Sequence, residues 1–271
     1  MNSPLPELPL WLAEYLVPDS ELARAYEDTA SELRALCKHT LAMQHTFFGE
    51  APDLEEQSLL RSAQGLCVRV RSRPADWTLV IFDAAYASAP RLLAALMPAL
   101  LARVPLVLCI STPGPMWPEL LCALESAGQE QIYRLEASQS LDLLQSLVVQ
   151  PGQGRLVLLH RGALSALRAA AYEADLPCWE ERRAPMLRIC GSEFDTALIR
   201  LAHPDAASAE NAAPDAVYRS GSHALQVQAP LTFPPGMEGC WLHPSLTPDF
   251  FRVRSLAFGP ASAYPKDGVL P

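Results

Sequence analysis

Lysine is almost missing from this chain of 271 residues: of its 21 basic side chains only Lys38 and Lys266 are lysines, and the rest are arginines. No Gly-Lys-Ser/Thr segment occurs, which excludes a P-loop phosphate site. Only two amines could form a Schiff base, which argues against pyridoxal chemistry. The G-x-G-x-x-G fingerprint of a standard dinucleotide loop and the G-x-S-x-G elbow of an α/β hydrolase are both missing. The seven cysteines, at 37, 67, 109, 122, 178, 190 and 240, contain no C-x-x-C pair. An odd number at wide spacing fits neither a disulfide framework nor a structural zinc site, and reads as buried thiols in a reducing compartment. No apolar run reaches about 18 uncharged residues, and Met1-Asn2-Ser3-Pro4 offers no basic leader. A soluble, cytoplasmic protein without a membrane partner is expected. Thirty acidic residues leave a net charge of −9, which repels duplex nucleic acid on average. The one basic cluster, Arg69, Arg71 and Arg73, alternates as one solvated face of a strand does.

Half of the residues are apolar and 19% are charged, a composition that buries a core. Asp19 or Ser20 can cap a first helix that carries Leu22, Tyr26, Leu33, Leu36, Cys37 and Leu41 on one face and runs to Phe48, before Gly49 and Pro52. A second, shorter helix is expected around Leu54–Ala63. Apolar β-type runs then recur at Thr78–Phe82, Leu106–Ile110, Ile132–Leu135, Leu156–Leu159 and Leu187–Cys190, roughly one strand plus one helix apart. Helical patterns fill the gaps: Pro90–Arg103, Pro118–Gly128 with Pro first and Gly last, Ser138–Val149 and Ala163–Ala174. Alternation at this spacing means βαβ units, and continuously apolar strands mean a sheet covered on both faces. The expected fold is α/β, a doubly wound and mainly parallel sheet over 66–201. A helical N-terminal arm (1–65) precedes it and an irregular C-terminal segment (202–271) follows, with an extended run at Ala224–Gln228.

Ligands bind such sheets at the carboxyl ends of the strands. Those ends carry Asp83-Ala84-Ala85, Ser111-Thr112-Pro113-Gly114, Glu136-Ala137-Ser138-Gln139 and His160-Arg161-Gly162. Ser111, Thr112 and Gly114 read either as an ordinary turn or as donors to an anion. Among six histidines, His39 and His45 lie on different helix faces and make no metal pair. His203, followed by Pro204-Asp205, and His223 fall in the irregular region, where functional residues concentrate.

Several runs together resemble the first nucleotide-binding domain of histidinol dehydrogenases. They are Pro98-Ala-Leu-Leu-Ala-Arg-Val104, Val107-Leu-Cys-Ile-Ser-Thr-Pro113, Pro118–Gly128 and Gln131-Ile-Tyr-Arg-Leu-Glu-Ala-Ser-Gln-Ser-Leu141. Their order and spacing agree with that family over roughly 78–150. Pro214-Asp-Ala-Val-Tyr218 with Gly221-Ser-His-Ala-Leu225, and Leu246-Thr-Pro-Asp-Phe-Phe-Arg252, are similar to its later blocks. The resemblance implies a divergent, shortened relative of a zinc- and NAD-dependent family. It puts Gln139 at the family's NAD-contacting glutamine and His203 at its catalytic Glu-His block.

The departures bear on function. Asp83-Ala84-Ala85 replaces the family's Pro-Gly-Gly, and Glu136-Ala137 replaces a glycine pair, bringing a carboxylate where a pyrophosphate would rest. The zinc-binding Asp falls on Val217, and the acidic neighbour of His203 lies on the wrong side. Catalytic zinc needs three protein ligands, which His203 and His223 alone do not supply.

The expected function is therefore a non-catalytic homologue that keeps the fold as a binding or assembly module. It would have a small-molecule or protein partner, with homodimerisation left open, and no metal or other cofactor. The alternative is an NAD-dependent oxidoreductase of the histidinol dehydrogenase type, with NAD and zinc, catalytic His203 and cofactor-binding Gln139. A nucleotide would then sit beside Gln139, at the mouth between the loops after the first and third strands. A third reading, a thiolate enzyme of the aldehyde dehydrogenase kind, would use Cys178 beside Arg182 and Arg183.

Overall fold

The computed structural model describes residues 5–49, 56–61, 65–114, 116–210, 212–220 and 229–260. Helices α1 (Asp19–Asp28) and α2 (Ser31–Phe48) open the chain. Strands β1 (Glu56–Arg61), β2 (Leu66–Pro74) and β3 (Trp77–Phe82) follow, then α3 (Ala89–Leu101), β4 (Val107–Ser111), α4 (Pro118–Ser126), β5 (Ile132–Arg134), α5 (Ala137–Val148), β6 (Gly154–Leu159), α6 (Ser165–Glu173) and β7 (Cys178–Glu181). The remainder is β8 (Met186–Cys190), α7 (Thr196–Ala202), β9 (Ala207–Ser208), β10 (Ala216–Arg219), β11 (Leu231–Phe233) and β12 (Arg252–Pro260).

The first lobe is a five-stranded sheet in the order β5-β4-β3-β6-β7, and every pairing in it is parallel. β3, β4 and β6 are buried along their whole length because helices cover both faces. Val80, Phe82, Cys109, Val157 and Leu159 face α3 and α4, and Leu79, Ile81, Leu108, Ile110, Leu156 and Leu158 face α5 and α6. Burying one such aliphatic side chain stabilises the fold by about 1.5–3 kcal/mol, so these two layers supply its main driving force. α4 starts on Pro118 and ends before Gly128, whose φ of +73° closes the helix at little steric cost.

The doubly wound parallel architecture is the expected one, and the structure corrects its details. The first helical stretch is two helices broken at Thr29-Ala30, and α1 is preceded by Pro18 without a side-chain cap, not by Asp19 or Ser20. The helix expected around 54–63 is instead strand β1, paired antiparallel with β2 from Glu56↔Ser72 to Arg61↔Cys67. An apolar pair, Leu59-Leu60, fits either period, and the pairing decided. The run at Met186 does not extend the first sheet; Cys178–Glu181 takes that edge. β8 begins a second parallel sheet, ordered β11-β10-β8-β9. This sheet packs Leu187, Phe194, Ile199, Tyr218, Phe233 and Trp241 into its own core. The segment after 201 is thus strand-bearing, and residue 201 itself lies inside α7. Ala224–Gln228 and His223 lie outside the described residues. β12 returns to pair with β2, which completes a three-stranded antiparallel ribbon β1-β2-β12. Among the described residues no helix is long and apolar enough to cross a membrane.

Candidate functional site at the carboxyl edge of the first sheet

The chain runs outward from β3 to β4 and β5, then returns to β6 beside β3. The loops after β3 and β6 therefore diverge, and the crevice between them is where such sheets receive ligands. Asp83 stands at the end of β3 and is buried. Its Oδ2 accepts the backbone N–H of Arg161 at 2.7 Å, and its Oδ1 accepts that of Ala85 at 3.1 Å. His160 Nδ1 accepts the N–H of Gly162 at 2.8 Å and of Leu164 at 3.4 Å, while its Nε2 meets Glu180 Oε1 at 2.7 Å. The backbone N–H groups of Ala85, Arg161, Gly162 and Leu164 are thus taken by the protein's own side chains. Beside it, a Cβ at Gly114 would stand 2.3 Å from that of Ala84, so the loops after β3 and β4 touch where a glycine pair would leave room.

Gln139 lies at the start of α5. Its Oε1 accepts the Glu136 N–H at 2.8 Å, and the Glu136 carboxylate accepts the Gln139 N–H in return. This reciprocal cap satisfies two orphan donors of the helix. β4 lies between β3 and β5, so the loop that carries Gln139 is one strand removed from the loop after β3.

His203 follows α7 and is buried. Ser88 donates its hydroxyl proton to Ala202 O at 2.7 Å, so its oxygen is left to accept from His203 Nδ1 at 3.0 Å. Burial, reinforced by the positive charge of Arg91, lowers the His203 pKa to about 3, so the imidazole is neutral at physiological pH. Val217 is fully buried in β10 and has no ligand atom. No group of three metal-ligating side chains gathers among the described residues. Cys178 is half-buried; burial lifts its thiol to about 11, Glu180 adds to this, and Arg168 and Arg182 oppose it. That is no thiolate at neutral pH, and the Cys178 nucleophile reading loses its basis.

The structure assembles a charge cluster that sequence reasoning missed. Arg91 is fully buried on α3, pairs with Asp205 at 2.8 Å and Glu181 at 3.5 Å, and lies 5.2 Å over the Tyr86 ring. Arg161 meets Glu181 at 3.3 Å and also Asp205, and lies 5.4 Å from the centre of the Tyr86 ring. Burial pushes the Asp205 carboxyl up, but hydrogen bonds and charge from Arg91 and Arg161 outweigh it and hold the pKa below the ordinary value. His243 Nε2 reaches Arg91 O at 3.2 Å, and burial lowers its pKa. These contacts tie the first lobe to the loop after α7. One signal was visible: Arg91 is the only charged residue in the helix Ala-Pro-Arg-Leu-Leu-Ala-Ala-Leu-Met-Pro-Ala-Leu-Leu. A lone charge on an all-apolar helix needs a buried partner. Next to the cluster a cleft of about 560 Å³ opens between the lobes, lined among others by Glu181, Arg183, Asp215, Leu231, Trp241 and His243.

No family model and no curated protein matches the sequence. Among solved structures the chain is similar to histidinol dehydrogenase from Elizabethkingia anophelis. The TM-score is 0.60 at 11% identity, over 92% of this chain and 78% of that one. It is also similar to an indole-3-acetaldehyde dehydrogenase (TM-score 0.46, 13% identity, 89% and 79% covered) and to lactaldehyde dehydrogenase from Escherichia coli (0.42, 15%, 73% and 46%). The chain spans less than half of the latter. The chain has the fold of histidinol dehydrogenase, kept at 11% sequence identity.

Proposed function

We propose that this chain is a non-catalytic homologue built on the histidinol dehydrogenase fold. It serves as a binding module, with the interlobe cleft beside Trp241 and His243 as its ligand site. The observation that carries this reading is Asp83. A dinucleotide's pyrophosphate needs free backbone donors and no negative charge at the switch point, and here a carboxylate already accepts the Arg161 and Ala85 amides. The residues present therefore do not fit NAD. Nor do they fit catalytic zinc, which needs three ligands: Val217 has none, and His203 is engaged with Ser88. A neutral, buried His203 with a pKa near 3 is also a poor general base. The partner is a small molecule or a protein, and seven cysteines without a disulfide support a reducing, cytoplasmic setting.

The alternative, an NAD-dependent oxidoreductase, rests on the fold and on Gln139. The two readings separate in an assay of histidinol oxidation with NAD and zinc supplied, followed through the near-ultraviolet absorbance of NADH. The expected outcome is no turnover above a protein-free control. Turnover that disappears in His203→Ala would establish the oxidoreductase instead.

A further inference from the structure

The five-stranded sheet has one closed edge and one open edge. β5 is covered by the chain's own N-terminal segment, where the Val17 N–H donates to Ile132 O at 2.8 Å and Leu16 bridges Tyr133. At the other end, β7 pairs among the described residues only with β6, in parallel, from Leu156↔Cys178 to Leu159↔Glu181. Pro177 O and Glu181 O accept the N–H groups of Leu156 and His160, each at 3.0 Å. Alternate residues of a strand turn their backbone groups to the same side, so Cys178 and Glu180 turn their N–H and C=O groups outward. Nothing among the described residues hydrogen-bonds to these four groups. An unpaired edge of this kind is a template for a further strand. Side chains along β7 alternate between the two faces of the sheet, and a pocket lies on each. Trp179 packs with the layer of Val80 and Phe82, and Cys178 with that of Leu79 and Ile81. On the Trp179 side lies the interlobe cleft, to which Pro185, Leu231, Trp241 and Leu242 give apolar walls. Its Glu181 is already paired with Arg91 and Arg161, and its Asp215 with Arg183. On the Cys178 side a second pocket of about 430 Å³ lies against α6, lined among others by Ser165, Arg168, Tyr172 and Arg182. Glu180 is its one carboxylate, met by Arg168 at 3.4 Å and by Arg182 at 2.5 Å. Two guanidinium groups against one carboxylate leave a positive charge over.

We propose that β7 receives an extended peptide segment of a partner protein as an added strand, with an aromatic side chain in the cleft and an acidic one in the pocket at α6. Strand addition draws its affinity from main-chain hydrogen bonds at the edge and its selectivity from pockets that receive alternate side chains. Both requirements meet at this one strand. Neighbouring residues of a strand point to opposite faces, so the segment carries its aromatic and acidic residues side by side. The apolar cleft wall takes the ring, and the unbalanced charge of Arg168 and Arg182 takes the carboxylate. The inference rests on the reading of the cleft as a ligand site and names its occupant.

The probe is the fluorescein-labelled peptide Thr-Val-Glu-Phe-Glu-Val-Thr, whose symmetric centre suits either strand direction, titrated with the chain by fluorescence anisotropy. The expected Kd is below about 100 μM. Alanine in place of the phenylalanine, or lysine in place of both glutamates, weakens binding by at least about 10-fold. N-methylation of one alternate set of peptide amides abolishes binding, and of the other set leaves it. In the chain, Cys178→Pro removes an outward N–H at the first residue of the strand, where proline is tolerated. It abolishes binding, and Cys178→Ala does not. The N-methylated peptides read the same edge in the unaltered chain, whatever the fold of Cys178→Pro. Arg168→Glu weakens the glutamate peptide by at least about 10-fold and strengthens the lysine peptide. No binding of the glutamate peptide at about 1 mM overturns the proposal. So does binding that neither N-methylated set disturbs, binding unchanged in Cys178→Pro, or tighter binding of the lysine peptide by the unaltered chain. A dimer of the chain that Cys178→Pro dissociates would assign the edge to a second copy and likewise overturn it. No peptide binding together with no turnover in the histidinol assay strikes this inference alone, whereas turnover in that assay strikes the functional reading on which it rests.

Discussion

Replacing Arg91 by methionine keeps the bulk of the side chain and removes its charge. In the folded chain the change leaves Asp205 and Glu181, which Arg91 meets at 2.8 and 3.5 Å, with Arg161 as their one shared guanidinium. Breaking a buried ion pair by removing one partner costs about 3–5 kcal/mol, chiefly because a buried charge is left uncompensated. For a chain of this size each kcal/mol moves the melting temperature by roughly 2–4 °C, so Arg91→Met lowers it by about 10 °C at pH 7. Asp205→Asn added to Arg91→Met removes one uncompensated carboxylate, and the double variant is more stable than the additive sum by at least about 1 kcal/mol. The pH dependence follows from the sign of the Asp205 shift. Its folded pKa lies below the ordinary 3.8, so its contribution is fully present above the unfolded pKa and is lost as pH falls through the folded value. Wild-type melting therefore drops below about pH 4, and Arg91→Met loses less over the same interval. Calorimetric melts of the three proteins at pH 7 and pH 3 decide the matter. A variant melting within about 2 °C of wild type at pH 7, or sharing its full acid sensitivity, would show that the cluster does not hold the lobes together.

His203 should show no titration of its ring protons by NMR between pH 5 and 8. Because its folded pKa of about 3 lies below the unfolded 6.5, it stabilises the fold above the unfolded pKa, and that stability declines as pH falls from 6.5 toward 3; a titration near 6.5 would contradict its burial as a neutral group. Cys178, with its thiol near 11, should react with iodoacetamide at pH 7.5 far more slowly than free cysteine, and a rate above that of free cysteine would revive the nucleophile reading. Gln139→Ala should cost about 0.5–1 kcal/mol of stability through loss of the reciprocal cap with Glu136; a melt unchanged from wild type would remove the capping role.

The sheet was legible where local pattern and tertiary environment agree. Runs such as Leu106–Ile110 and Leu156–Leu159 are apolar throughout because helices cover both faces, and the intervening helices announce themselves with Pro118 and Gly128. Legibility failed where pairing between distant residues decided. Glu56–Arg61 is a strand only because Cys67–Ser72 lies beside it. The strand at Met186 looks like the fifth unit of the first sheet until Ala216 and Leu231 are seen to join it in a second one. At the site, Asp83, Glu136, His160 and Gln139 were visible as residues at strand ends. What they bind was not, because each finds its partner through the folded loop. Glu136 was expected to repel a ligand, and it also caps a helix. The cluster of Arg91, Arg161, Glu181 and Asp205 draws on four separate segments and has no spacing to read.

Titration calorimetry of NAD into the chain tests most directly whether the crevice between β3 and β6 is closed to nucleotides. With Asp83 holding the Arg161 and Ala85 amides, and Glu136 and a net charge of −9 opposing a dianion, the Kd should be weaker than about 1 mM, less than about 4 kcal/mol of binding free energy. Glycine at Ala84, Ala85 and Glu136 together should strengthen it. One-to-one binding of NAD to the unmodified chain at micromolar Kd would contradict the non-catalytic reading and restore the dehydrogenase.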